Sequence, residues 1–151
     1  MAKDILLVDD EPHILRAAEL KLQRSGFNVR TACDGEEGWL QIQQKKPDLL
    51  VTDLQMPRAD GFELAERVRN DARYADLPIF LLTARGLEPS LGQRAGQLNV
   101  LAVISKPFSP RELVQCIQSA LEVGPVVCAG LLPKPAWVTD ATIAPPLFHS
   151  R

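Results

Sequence analysis

Five short strand-forming runs, each followed by a stretch of helical period, restrict what this chain can fold into. The runs are Ile5 to Val8, Asn28 to Ala32, Leu49 to Thr52, Ile79 to Leu82 and Leu101 to Ser105. Continuous apolar character, as in Ile5-Leu6-Leu7-Val8, indicates strands covered on both faces. Strands separated by helices need crossovers, which set the strands parallel and place helices on both sides of the sheet. The expected class is α/β: a doubly wound, five-stranded parallel sheet in the order 2-1-3-4-5.

Local signals punctuate the helices. Pro12 suits a first turn and opens a segment with Leu15, Ala18 and Leu22 on one face, closed by Gly26. Asp34 with Glu37 forms a capping-box pattern ahead of Gly38 and Ile42, and Pro47 ends that helix. A second such pattern, Asp60 with Glu63, precedes Ala65 and Val68. Ser109-Pro110-Arg111-Glu112 combines a cap, a first-turn proline and a reciprocal acid, and leads into a stripe of Leu113, Val114, Ile117, Ala120 and Leu121. By contrast, Gly86, Gly92 and Gly96 fall in one segment, and each costs a helix about 1 kcal/mol relative to alanine. The fourth helix should therefore be the least stable.

Composition sets the boundaries. Of 12 prolines, five (Pro125, Pro133, Pro135, Pro145 and Pro146) crowd residues 124–151, where the only charges are Lys134, Asp140 and Arg151. The expected organisation is one domain over residues 1–123 and a proline-rich apolar tail over 124–151, with no output domain. A net charge of −2 disfavours a nucleic-acid binder. The apolar run before Asp9 is too short for a signal-peptide core or a membrane helix, so a cytoplasmic protein is expected. Cys33, Cys116 and Cys128 lack metal-site spacing and read as reduced, structural thiols.

Chemistry is concentrated at the strand ends. Asp9 and Asp10 follow the first run, Asp53 the third, Thr83 the fourth and Lys106 the fifth. In the order 2-1-3-4-5 these strands are neighbours, and the carboxyl edge of such a sheet is where ligands bind. Any one of these residues alone is more simply a polar cap; together, at four strand ends, they point to a site. Three crowded carboxylates raise one another's pKa unless a cation neutralises them. Mg2+, which takes few carboxylates and several waters, suits the set better than calcium. A cation beside a carboxylate, a hydroxyl and a lysine is an arrangement for phosphoryl transfer, with Asp53 as nucleophile.

At these residues the chain resembles the receiver domain of two-component response regulators, of the single-domain chemotaxis type. The matching segments are Val8-Asp9-Asp10-Glu11-Pro12, Asp53-Leu54-Gln55-Met56-Pro57 with Asp60-Gly61, Leu82-Thr83-Ala84 and Ser105-Lys106-Pro107-Phe108, spanning about residues 3 to 122. The resemblance implies a flavodoxin-like (βα)5 fold in which Asp53 accepts a phosphoryl group from a histidine kinase or phosphotransfer protein with Mg2+. Asp10, Asp53 and the Gln55 backbone carbonyl would hold the metal directly and Asp9 through water. Thr83 and Lys106 would hold phosphoryl oxygens, and the Lys106–Pro107 bond would be cis. The output face would comprise the fourth helix, fifth strand and fifth helix. Val103 stands where an aromatic usually reports the switch, which suggests altered coupling. Gln55 and Arg85 would tune phosphoryl lifetime, and the small Ala84 would leave the acceptor accessible. His13 reads as a solvated helix residue.

Residues 124–151 are too few and too poor in cations for a helix-turn-helix unit, so the signal is expected to pass to a downstream protein target, without direct nucleic-acid or membrane binding; a homodimer is compatible with this reading. Trp137, Val138, Ile143, Leu147 and Phe148 give the tail an apolar surface that could pack on its own domain or on a partner. The protein is thus expected to be a signalling switch that catalyses only its own phosphorylation and dephosphorylation. The rival readings are a Mg2+-dependent aspartyl-phosphate phosphatase, a flavodoxin-like electron carrier and a phosphorylation-independent receiver-like adaptor. The first would carry a DxD pattern after strand one, where this chain has adjacent Asp9-Asp10. The second would need a phosphate-cradling loop there, where acids repel phosphate.

Overall fold

The structure, a computed structural model, describes residues 2–56, 60–84 and 89–123, with the backbone alone for 89–92 and 122–123. Arg85, Gly86 and residues 124–151 lie outside the described residues. Strands and helices alternate: β1 (Asp4–Val8), α1 (Pro12–Arg24), β2 (Asn28–Ala32), α2 (Gly35–Gln44), β3 (Leu49–Asp53), α3 (Gly61–Asn70), β4 (Ile79–Thr83), α4 (Pro89–Gln97), β5 (Ala102–Ser105) and α5 (Pro110–Val123). The strands pair in parallel in the order β2-β1-β3-β4-β5, as the alternation of elements requires.

The two-residue period of each strand divides its side chains between two apolar layers. Leu6, Val8, Leu50, Ile79, Leu81 and Val103 face one layer, with Ile42 of α2, Leu64 and Val68 of α3 and Ala95 of α4. Ile5, Leu7, Val51, Phe80, Leu82 and Ile104 face the other, closed by Leu15, Ala18 and Leu22 of α1 and Leu113, Val114 and Ile117 of α5. Leu121 lies at the margin of that layer, partly buried.

The caps form with one variation. Asp60 and Glu63 make the full reciprocal box, at 2.9 and 3.0 Å. Asp34 accepts from the Glu37 N–H at 2.8 Å, but the Glu37 carboxylate accepts from the Cys33 N–H instead of closing on Asp34. Ser109 Oγ accepts from the N–H groups of Arg111 and Glu112, and Glu112 returns the bond. α2 stops at Gln44, three residues before Pro47, and Gly26 adopts a φ of +97° that a side chain would resist. Cys33 is exposed and Cys116 buried, so only the latter packs in the core.

Two arginines tie helix ends to the sheet. Arg30 of β2 pairs with Asp4 at 2.9 Å and donates to the carbonyls of Gln41 and Lys45 at the end of α2. Arg69, near the end of α3, has backbone carbonyls as its hydrogen-bond partners: Leu98 at 2.7 Å, Leu77 at 2.7 Å, Ala75 at 3.0 Å and Asn99 at 3.3 Å. Burial pulls its pKa down to about 10, so it remains a cation at neutral pH. Asn99, at φ 56°, turns the chain out of α4 where Arg69 meets it. Replacing Arg69 with Met should cost about 1–3 kcal/mol in urea unfolding, through carbonyls left without a donor, with little change in the slope of the transition.

Candidate functional site

The same alternation that builds the core aims the site. Counting in twos from Ile5 and Leu7 leads to Asp9, from Leu49 and Val51 to Asp53, and from Ala102 and Ile104 to Lys106. These three side chains therefore leave the sheet on the α1/α5 side. The parallel ladder continues into the site: Asp9 N–H bonds to Ala32 O at 3.1 Å, Leu54 N–H to Leu82 O at 2.9 Å and Lys106 N–H to Thr83 O at 2.8 Å. Backbone pairing thus places each residue before its side chain makes any contact.

Lys106 is the hub. Its side chain is buried, and Nζ lies 2.8 Å from Asp9 Oδ2, 2.9 Å from Glu11 Oε1 and 3.3 Å from Asp53 Oδ2. Burial works against the ammonium, but the contacts to Asp9 and Glu11 and the nearby Asp53 charge outweigh it and raise the Lys106 pKa. Burial raises the pKa of Asp9, partly opposed by Lys106. Asp53 is raised further, to about 6, by burial and then by the Asp9 charge, against the lowering effects of Lys106 and the Gln55 N–H. Glu11 is lowered by its bond to Lys106.

Asp9, Asp10 and Asp53 each offer a carboxylate oxygen, and these oxygens all lie within 4.8 Å of one another. Asp9 and Asp53 are buried, whereas Asp10 is exposed at the mouth. Asp9 Oδ2, although close to Lys106, lies off the hydrogen-bonding direction and is a buried oxygen with no aligned donor. An under-satisfied buried oxygen in an all-oxygen cluster fits a hard divalent cation such as Mg2+.

The other expected residues are distributed around this centre. Thr83 is buried at the end of β4, and Ala84 and Gln55 are exposed at the rim. Pro107 is exposed, and the Lys106–Pro107 bond is cis. Val103 is buried in the same apolar layer as Ala95, Leu98 and Val100, on the opposite side of the sheet from Lys106. Arg85 lies outside the described residues. The His13 side chain is 79% exposed, with Nε2 4.0 Å from Glu11 Oε2, as expected of a solvated helix residue.

Two contributors had no assigned role in the sequence reading. Glu11 was visible only as part of the acidic run, and its grip on Lys106 spans 95 positions of sequence. Gly61 brings the start of α3 against the loop that follows Asp53: its N–H bonds to Leu54 O at 3.1 Å, and a Cβ there would collide with the Asp53 carbonyl and lie 2.9 Å from Leu54 Cα.

A family model described as the response regulator receiver domain matches residues 5–118. The chain belongs to that family. Among curated relatives, the receiver is 38% identical over 118 residues to response regulator Rre1 of Synechocystis, covering 78% of this chain and 51% of that protein. It is 39% identical over 123 residues to the alkaline phosphatase synthesis transcriptional regulatory protein PhoP of Bacillus subtilis, covering 80% and 49%. The receiver thus spans about half the length of the curated relatives it matches. Among solved structures, a response regulator from Chloroflexus aurantiacus aligns with TM-score 0.73 at 36% identity, covering 80% of this chain and 98% of that one. The chemotaxis response regulator CheY4 of Vibrio cholerae aligns with TM-score 0.73 at 31% identity, covering 78% and 98%. Receiver domains are signalling switches that use Mg2+ at an acidic pocket, and this chain carries an acidic cluster of Asp9, Asp10 and Asp53. Among the described residues no helix is long and apolar enough to cross a membrane.

The raised Asp53 pKa has a consequence for stability. Between the ordinary value of 3.8 and about 6 the folded receiver holds a proton that the unfolded chain has lost, so stability falls as pH rises through that window. Without metal, Asp53→Asn should therefore unfold at higher urea than the parent by about 1–3 kcal/mol near neutral pH and match it at about pH 4. An equal gain at both pH values would show that burial of the charge is not the cause. Gly61→Ala should cost more than about 1 kcal/mol in the same assay, because the neighbour that must give way is backbone.

Proposed function

We propose that Asp53 of this receiver accepts a phosphoryl group from a histidine kinase or phosphotransfer protein. The observation that carries the reading is the Asp53 carboxylate, buried, 3.3 Å from the Lys106 ammonium and clustered with Asp9 and Asp10. In this reading a carboxylate oxygen of Asp53 attacks phosphorus, the bond to the donor nitrogen breaks, and the imidazole leaves with the electron pair. At neutral pH the carboxylate is mostly ionised and competent to attack, since its pKa is about 6. Lys106 and Thr83 hold the phosphoryl oxygens and compensate their spreading charge.

Asp10, Asp53 and the Gln55 carbonyl would hold Mg2+ directly, with Asp9 acting through water; the bound ion neutralises charge among the crowded oxygens. Gln55 and Arg85 tune how long the acyl phosphate survives, Ala84 leaves room for the donor, and Val103 and Pro107 shape the response. The charge added at Asp53 draws Thr83 and Lys106 inward and alters the face formed by α4, β5 and α5, which engages a downstream protein in the cytoplasm. Residues 124–151 themselves, with only Lys134 and Arg151 as cations, make a poor phosphate-binding surface. The curated relatives include transcriptional regulators of which the matched segment covers 49% and 62%, and their activity is theirs.

Incubation with acetyl phosphate and Mg2+ should add one acid-stable, alkali-labile phosphoryl group, read by intact-protein mass. Asp53→Asn or removal of Mg2+ with a chelator should abolish it. Modification that persists in Asp53→Asn would overturn the assignment of the acceptor.

A further inference from the structure

Glu11 is the N-cap residue of α1, yet its side chain makes no capping bond. It reaches across to Lys106 instead, with Oε1 2.9 Å from Nζ, while the Lys106 side chain is only 7% exposed. Nζ has three hydrogens and three carboxylate neighbours: Glu11 accepts an aligned hydrogen bond, Asp9 Oδ2 is close but off the hydrogen-bonding direction, and the contact to Asp53 is the longest of the three. A phosphoryl group on Asp53 brings new anionic oxygens that need one of those hydrogens. Asp9 belongs to the oxygen cluster, where a divalent cation would compete with Lys106 for it. Glu11 is outside that cluster, so its hold on Lys106 persists when the cluster is filled.

We propose that Glu11 is a positioning residue that acts through Lys106: it holds the ammonium away from the acceptor before phosphorylation and releases it when the phosphoryl group arrives. This rests on Asp53 being the phosphoacceptor. Glu11 is suited to a reversible hold because its side chain is 45% exposed, so the pair is worth little and exchange is easy. Once released, the carboxylate stands at the start of α1, where negative charge favours the helix dipole, so the exchange strengthens that end of the helix.

Two variants separate the contact from the charge. Glu11→Gln removes the charge and keeps the length, whereas Glu11→Asp keeps the charge and shortens the reach to Nζ. With saturating Mg2+ and acetyl phosphate, both should be phosphorylated about two- to fivefold faster than the parent, and both should bind beryllofluoride, a tetrahedral phosphoryl analogue, more tightly by a similar factor. In the parent, the Glu11 side-chain carboxyl carbon resonance should shift when beryllofluoride binds. If only Glu11→Gln were faster, Glu11 would act through its field alone and the positioning role would be overturned. Rates equal to or below the parent in both variants would overturn it as well. Failure of the parent itself to be phosphorylated would count against the acceptor assignment instead, and the beryllofluoride and resonance measurements keep the two failures apart.

Discussion

A single buried ammonium stands among carboxylates at the carboxyl edge of the sheet, and the rest of the structure serves that imbalance. Lys106 touches Asp9, Glu11 and Asp53, with Asp10 close by, so the site carries more negative charge than it can balance alone. Burying like charges is costly, and the cost shows as the upward displacement of Asp9 and Asp53. An arrangement of this kind persists only where the surrounding fold holds it, and it is relieved by whatever brings positive charge. The charge distribution that is unfavourable to bury without a counter-charge is the same one that would favour a bound cation.

The fold meets this demand by giving the site residues no freedom of position. Parallel-ladder bonds fix the backbones of Asp9, Leu54 and Lys106. Gly61 lets α3 begin directly against the loop after Asp53, and the box between Asp60 and Glu63 stabilises that start. Both apolar layers bear on the central strand β3, whose residues from Leu49 to Asp53 are all buried. Asp53 is thus anchored from both faces of the sheet and from the neighbouring strands on either side.

Much of this was legible because the controlling signals are local. The continuous apolar runs gave the strands, Asp60 and Ser109 marked helix starts, and polar residues following Val8, Thr52, Leu82 and Ile104-Ser105 marked the site. Period-two counting even assigns Asp9, Asp53 and Lys106 to one side of the sheet. The remainder depended on contacts between distant segments. Glu11 meets Lys106 only once β1 and β5 have taken their places, and nothing about an acid after two others distinguishes it from solvated charge. Arg69 looked like any cation in the last turn of a helix, where a favourable dipole interaction is the usual explanation. Its bonds to four carbonyls in two separate loops follow from how α3 and α4 pack, which no local pattern encodes. Glu37 bonding to Cys33 instead of Asp34 is a smaller case, decided by the path of the chain leaving β2.

Those tertiary contacts also constrain how a change at Asp53 can travel. Position 103 offers no ring to swing between pocket and solvent; Val103 is a small side chain locked in the layer with Ala95, Leu98 and Val100. α4 is held along its C-terminal half, where Arg94 stacks at 4.1 Å over Phe62 and pairs with Glu66, and just beyond its end, where Arg69 grips the carbonyls of Leu98 and Asn99. Thr83, by contrast, joins the site to the segment that leads into the other end of α4. A rearrangement starting at Thr83 therefore meets a helix anchored at its far end. Among the described residues, the contacts that hold that end are made by Arg69 of α3 and Arg94 of α4, while Val103 is a small side chain fixed in the apolar layer.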